Sequence, residues 1–137
     1  MFSSKVTLFN YSESENMYYK TFLENVEFQP YYRTSFDGDF AKDEDSSLLI
    51  VKYCIDSGSK KPFGSERVFK TPKIWEALEN KGDFFTLRPG FDFFIKGNFT
   101  EVNSGYEDLK NSYDDVFFIQ SVKDFGDDLK HWEIMGY

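Results

Sequence analysis

One residue in five of this 137-residue chain carries an aromatic ring: 17 Phe, 9 Tyr and 2 Trp. Rings suit half-buried pleated surfaces, so a chain this loaded with them is expected to be rich in strands and poor in helix. Its length is that of one domain with a real core, and residues 1–137 are expected to form a single β-rich domain. Charged residues make up 29% of the chain and break every apolar stretch, so no run approaches the roughly 20 residues of a membrane span and no membrane partner is expected.

The order of runs gives the architecture. Val6 to Tyr11 is the first expected strand and Ser12 to Asn16 a polar turn. Met17 to Leu23 and Val26 to Tyr32 read as two more strands, with Glu24-Asn25 as a two-residue hairpin turn and Pro30 marking an edge or bulge. Thr34 to Ser47 is acidic and too polar for a core; it is the first long loop, and Asp37, Asp39, Phe40 and Asp43 are its candidate partner contacts. Leu48 to Ile55 is almost unbroken apolar sequence, the expected central strand. Asp56 to Glu66 follows as the second long loop, offering Lys60, Lys61 and Phe63.

Thr71 as N-cap and Pro72 at the first helical position open a short helix with Ile74, Trp75 and Leu78 on one face and Gly82 to end it. Phe84 to Leu87 and Phe93 to Lys96 read as strands around the turn Arg88-Pro89-Gly90, with Gly97 marking a further bulge or turn. Ser104 and Glu107 have capping-box spacing ahead of Tyr106, Leu109 and Tyr113, which predicts a second short helix. Val116 to Val122 and Trp132 to Met135 form a closing hairpin. The fold class expected is therefore mainly β: a small antiparallel β-barrel or sandwich with two short helices and two long loops, because strands this aromatic need both faces covered and their edges closed.

Residue types that carry chemistry are sparse. His131 is the sole histidine, so triads and His-built metal sites lack their parts, and a structural or surface role is expected for it. Cys54 lies in an apolar run and reads as a core thiol rather than a nucleophile; as the single cysteine it also points to a reduced, intracellular setting, as does the lack of a secretory pattern in Met1 to Lys20. The sequons Asn10-Tyr11-Ser12 and Asn98-Phe99-Thr100 are then chance matches. The acids of the first loop miss the alternation of a calcium loop, Asp114-Asp115 and Asp127-Asp128 read as turn flanks, and Gly58 to Gly64 lacks the ending of a phosphate loop. No cofactor or metal is expected. A net charge of −8 disfavours adhesion to a phosphate backbone.

Several stretches together resemble a family of small proteins encoded among the head-completion and tail genes of tailed bacteriophages. They are Val6-Thr7-Leu8-Phe9-Asn10; Val26-Glu27-Phe28-Gln29, where relatives tend to have Trp in place of Phe28; Asp45-Ser46 leading into Leu49-Ile50-Val51; and Phe85 through Gly97, with Pro89, Gly90 and Asp92 in its turn. Tyr113 to Val122 and His131-Trp132-Glu133-Ile134 are similar too, although Phe91 stands between Gly90 and Asp92 where relatives tend to read Pro-Gly-Asp. The resemblance implies a virion structural protein made in the bacterial host cytoplasm. Its expected place is the neck, as a head–tail connector or head-closure subunit in a homo-oligomeric ring that contacts other head–tail proteins while genomic DNA passes nearby. Two alternatives remain open: a β-barrel carbohydrate- or ligand-binding module of a phage tail, with Tyr and Trp exposed in a concave groove, and an acidic inhibitor that mimics DNA, with regularly spaced carboxylates on one face. An enzyme is not expected.

Overall fold

The computed structural model describes residues 2–31, 45–100, 105–127 and 129–137. Nine strands are assigned among them: β1 (Ser4–Ser12), β2 (Met17–Tyr31), β3 (Ser46–Asp56), β4 (Ser59–Pro62), β5 (Val68–Phe69), β6 (Phe84–Phe85), β7 (Phe93–Lys96), β8 (Val116–Phe125) and β9 (His131–Gly136). Two short helices, α1 (Pro72–Ala77) and α2 (Tyr106–Ser112), and a 3₁₀ turn at Lys81–Asp83 complete the described elements. The strands run in the order β2-β1-β7-β8-β9-β3, and β3 returns to pair with β2, so six antiparallel strands close a barrel. Closure leaves no barrel strand with a free edge along its paired length, which answers the demand that the ring-rich sequence makes.

Rings are sorted by the alternation of the pleat. Leu8, Leu23, Val26, Leu49, Val51, Phe94, Phe117, Ile119, Trp132 and Ile134 fill the interior, where Phe85 and Leu87 also lodge. Their strand neighbours Phe9, Phe93, Ile95 and Val116 point the other way and are buried beneath Leu109 of α2, with Phe9 stacked on Phe93 at 4.6 Å. Covering both faces is why Phe93-Phe94-Ile95 is buried without a break. The pair β5 and β6, the one parallel contact among the described strands, brings Phe69 and Phe85 against Trp132.

Four expectations need correction. Glu24-Asn25 does not turn a hairpin: β2 runs straight through as one strand of 15 residues, with β1 pairing to Met17–Val26 and β3 to Glu27–Tyr31. Here Glu24 and Asn25 oppose Lys5 alone, a β-bulge in which Asn25 takes φ +54° and the strand bends around the barrel. Asp56 to Glu66 is not an open loop; Ser57 (φ +52°) and Gly58 (φ +81°) make a two-residue turn, and β4 pairs back onto β3. Ser47 was placed in the polar loop, yet it is fully buried in β3 opposite Gly136. Cys54 is half-buried on the outer face of β3, because the alternation of the strand turns Leu49, Val51 and Tyr53 inward and the next residue out.

Smaller departures follow the same logic. Of Phe84 to Leu87 only Phe84-Phe85 ladder as strand, and α1 ends at Ala77, before Gly82, which lies in the 3₁₀ turn. Thr71 occupies the N-cap position with extended backbone but no side-chain bond, and Trp75 is the buried residue of that helix while Ile74 is exposed.

Candidate functional site

Two clefts of the described surface bear on function. The first, about 620 Å³, lies between the end of β1, the turn after it, α1 and the turn Arg88-Pro89-Gly90-Phe91-Asp92. Gly90 at φ +80° lets this last turn close, and its ends are stitched to β8 by Gly90 N–H donating to Ile119 O (2.8 Å) and Ile119 N–H donating to Asp92 O (2.9 Å). Arg88 is its hub. Nε–H donates to Asp92 Oδ2 (3.0 Å), Nη2–H to Asp92 Oδ1 and to the Tyr11 carbonyl (2.7 Å each), and Nη1–H to Glu76 Oε1 (3.2 Å).

Burial pushes the fully buried Asp92 carboxyl up, against the pull of Arg88; burial also works against the Arg88 charge, but the bonds to Asp92 and Glu76 outweigh it and hold the guanidinium charged. Lys81, 3% exposed, donates from Nζ to the Leu78 carbonyl (2.8 Å). The Arg88 and Lys81 head groups lie 4.9 and 5.6 Å from the Trp75 ring centre, and the buried Trp75 Nε1 has no hydrogen-bond partner among the described residues. Both cations are thus spent on tying β1, α1 and the Arg88 turn together, so this cleft is built first as a brace.

The second cleft, about 740 Å³, is apolar. Ile50, Lys52 and Cys54 give it a floor on the outer face of β3; Phe2, Phe63 and Leu129 form its walls, with Ile55, Lys130 and His131 at the rim. Ile55, Phe63 and Leu129 are 50%, 63% and 75% exposed, which places three large apolar side chains in water around one groove. His131 stacks on Phe125 (4.8 Å, 8° between planes). Both of its nitrogens face acceptors, Nδ1 the Leu129 carbonyl and Nε2 the Glu133 carboxylate at 3.0 Å; these raise its pKa above 6.5 and favour the imidazolium. Lys52 Nζ lies 4.0 Å from the Phe2 ring centre, and Lys130 Nζ donates to the Asp127 carbonyl (3.4 Å).

The residues singled out from sequence scatter. Asp37, Asp39, Phe40 and Asp43 lie outside the described residues. Of the other three candidate contacts only Phe63 lines the groove: Lys60 pairs with the Asp124 carboxylate, which also accepts from the Tyr53 hydroxyl, and Lys61 Nζ sits 3.6 Å from Glu66. Burial and that bond push the Tyr53 hydroxyl up to about 12. Asp45 precedes β3 and Ser46 opens it opposite Tyr31. Pro89, Gly90 and Asp92 belong to the braced turn, and Gly97, at φ +97°, anchors the strand end by accepting from Thr7 Oγ1 (2.8 Å). Trp132 is core. Sequence reasoning missed Leu129, Ile55, Lys52, Lys130 and the Arg88 hub; the available signals were an isolated Leu in a polar turn and an Arg four residues before an Asp across Pro-Gly.

A model for a family of unknown function, DUF6751, matches residues 1–137. This chain belongs to that family. A search of curated proteins and a search of solved structures each found no match to it. Within DUF6751, then, the apolar groove and the Arg88 brace of this chain have to be read from their own chemistry.

Proposed function

We propose that this DUF6751 chain works by binding other proteins through its apolar groove, without bond-making chemistry, and that it serves as a head–tail connector or head-closure-like subunit of a phage neck. The single observation that carries the binding half of this reading is the exposure of Ile55, Phe63 and Leu129 around one groove on an otherwise closed barrel. Leaving such side chains in water forfeits about 1.5–3 kcal/mol apiece, and an apolar groove with a polar rim is the usual mark of a protein contact. The neck assignment rests on the resemblance of Val6-Thr7-Leu8-Phe9-Asn10, Phe85 through Gly97 and the closing hairpin to proteins of that gene region. In that role the subunit acts in the virion after assembly in the bacterial cytoplasm. It joins neighbouring neck proteins, and copies of itself in a ring, while its −8 charge keeps passing DNA from sticking. The tail-module alternative calls for Tyr and Trp exposed together in a concave groove, and its Trp half is not met, since Trp75 and Trp132 are both fully buried.

The test is native mass measurement of the protein alone and mixed with phage portal and adaptor proteins, for wild type and for Leu129→Asp. Wild type is expected to join a neighbour or a ring, and the variant, with unchanged circular dichroism, to lose ten- to hundredfold in affinity. A wild-type protein that joins no neighbour and never self-associates overturns the proposal, and so does substrate turnover that is lost on mutating one local cluster.

A further inference from the structure

The apolar groove has a charge character opposite to that of the molecule. The chain carries 24 Asp and Glu against 16 Lys and Arg, yet among the described residues no Asp or Glu lines the groove, and Lys52, Lys130 and His131 do. Neither lysine is in an ion pair among the described residues. Lys52 rests over the Phe2 ring, and Lys130 reaches only a backbone carbonyl at the long limit of a hydrogen bond. The nearby carboxylates lie outside the lining: Glu133 holds His131, Asp124 holds Lys60 and Tyr53, and Glu27 accepts from Gln29 while acting on Lys52 from β2. Chance placement of charge on a −8 surface would put acids in this lining; their absence from it selects what can dock there.

Building on the reading of the groove as a protein-docking site, we propose that its occupant is an extended partner segment that alternates apolar and acidic residues. Its apolar side chains fill the space between Phe63, Ile55 and Leu129, and its carboxylates meet Lys52 and Lys130. The groove floor favours an extended form: Ile50, Lys52 and Cys54 are successive outward positions of one strand, so apolar and basic groups recur with the strand period that an extended segment shares. A basic segment meets like charge at Lys52 and Lys130, so the groove disfavours it.

The experiment uses the whole chain and a labelled synthetic peptide alternating leucine and glutamate, read by fluorescence anisotropy. A matched peptide of leucine and lysine serves as the control. Wild type is expected to bind the acidic peptide at least tenfold more tightly than the basic one, with affinity falling as salt rises. The double variant Lys52→Glu/Lys130→Glu is expected to reverse that order. Both substitutions are on the surface, and an unchanged melting temperature certifies the fold. Equal binding of the two peptides, no binding of either, or a preference untouched by the double variant overturns the proposal. Those results leave the docking role itself to the portal and adaptor measurement: Leu129→Asp breaking assembly while Lys52→Glu/Lys130→Glu does not would retain the groove as a contact and discard its acidic occupant.

Discussion

Arg88 shows how one side chain can be worth more to the fold than to any ligand. Its guanidinium is nearly buried, and two of its four acceptors, the two Asp92 oxygens, belong to a fully buried side chain, while the Tyr11 carbonyl is part-buried. Breaking a buried pair by neutralising one member leaves the other charge stranded, at a cost of about 3–5 kcal/mol. Asp92→Asn is therefore expected to lower unfolding free energy by about 3 kcal/mol or more. Glu76→Gln neutralises only the fourth, half-exposed partner and is expected to cost less than about 1 kcal/mol. Denaturant titration of the two variants measures the difference, and equal losses would mean that Arg88 is not held by Asp92. The size of that difference matters to the surface as well, because the same guanidinium fixes α1 against the end of β1 and so sets the shape of the first cleft.

Among elements, β2 is where local sequence and tertiary demand part company. Glu-Asn between two apolar runs is a fair turn by local rules, but Val26 stays paired with Ser4 of β1 and Glu27 to Tyr31 finds its partner in β3, rather than folding back on Met17 to Leu23. Asn25 keeps the left-handed backbone that the turn reading requires and uses it for a bulge. A left-handed residue with a Cβ costs about 1–2 kcal/mol, least for Asn, and Asn25 is exposed, so packing does not enter. Asn25→Val is expected to lower stability by at least about 1 kcal/mol and Asn25→Gly to leave it level or slightly raised; thermal melts of both variants check this, and a Val variant as stable as the Gly one would remove the bulge as the cause. What was legible in sequence was the part set by local pattern: β3 from its apolar run, α1 from Thr71-Pro72, the turns at Gly90 and Gly97, and a closing hairpin of β8 and β9. What was not legible depended on distant partners. Cys54 faces outward because Tyr53 is needed against Trp132 at 4.4 Å, and the groove exists because the chain brings Phe2, Phe63 and Leu129 together from three separate regions of the sequence.

At the scale of the molecule, closure makes the barrel strands interdependent and leaves other parts outside that bargain. β9 is laddered on both sides, to β3 from Ser47 through Lys52 and to β8 from Ile119 through Phe125, and its Gly136 sits so close to Phe117, Ser47 and Phe94 that a Cβ there would lie 2.8–3.0 Å from each. No strand so placed can leave without breaking two ladders and opening the core, so its amides exchange with solvent only when the whole barrel unfolds. β4 differs: four residues long, it is laddered among the described strands to β3 alone, and only Pro62 of its residues is buried, Ser59, Lys60 and Lys61 being half-buried. It can lift while the barrel stays shut, and because Phe63 follows it directly, its lifting reshapes the wall of the apolar groove. Hydrogen exchange is therefore expected to show β9 and the middle of β3 as the slowest amides, sharing one opening free energy, with β4 faster by about 100-fold or more. The acidic peptide, if it seats against Phe63, should slow β4 selectively and leave β9 unchanged. Exchange of β9 as fast as that of β4 would mean that the ring of six strands opens at the β3–β9 seam, and the groove would then be a consequence of a loose barrel rather than a feature of a closed one.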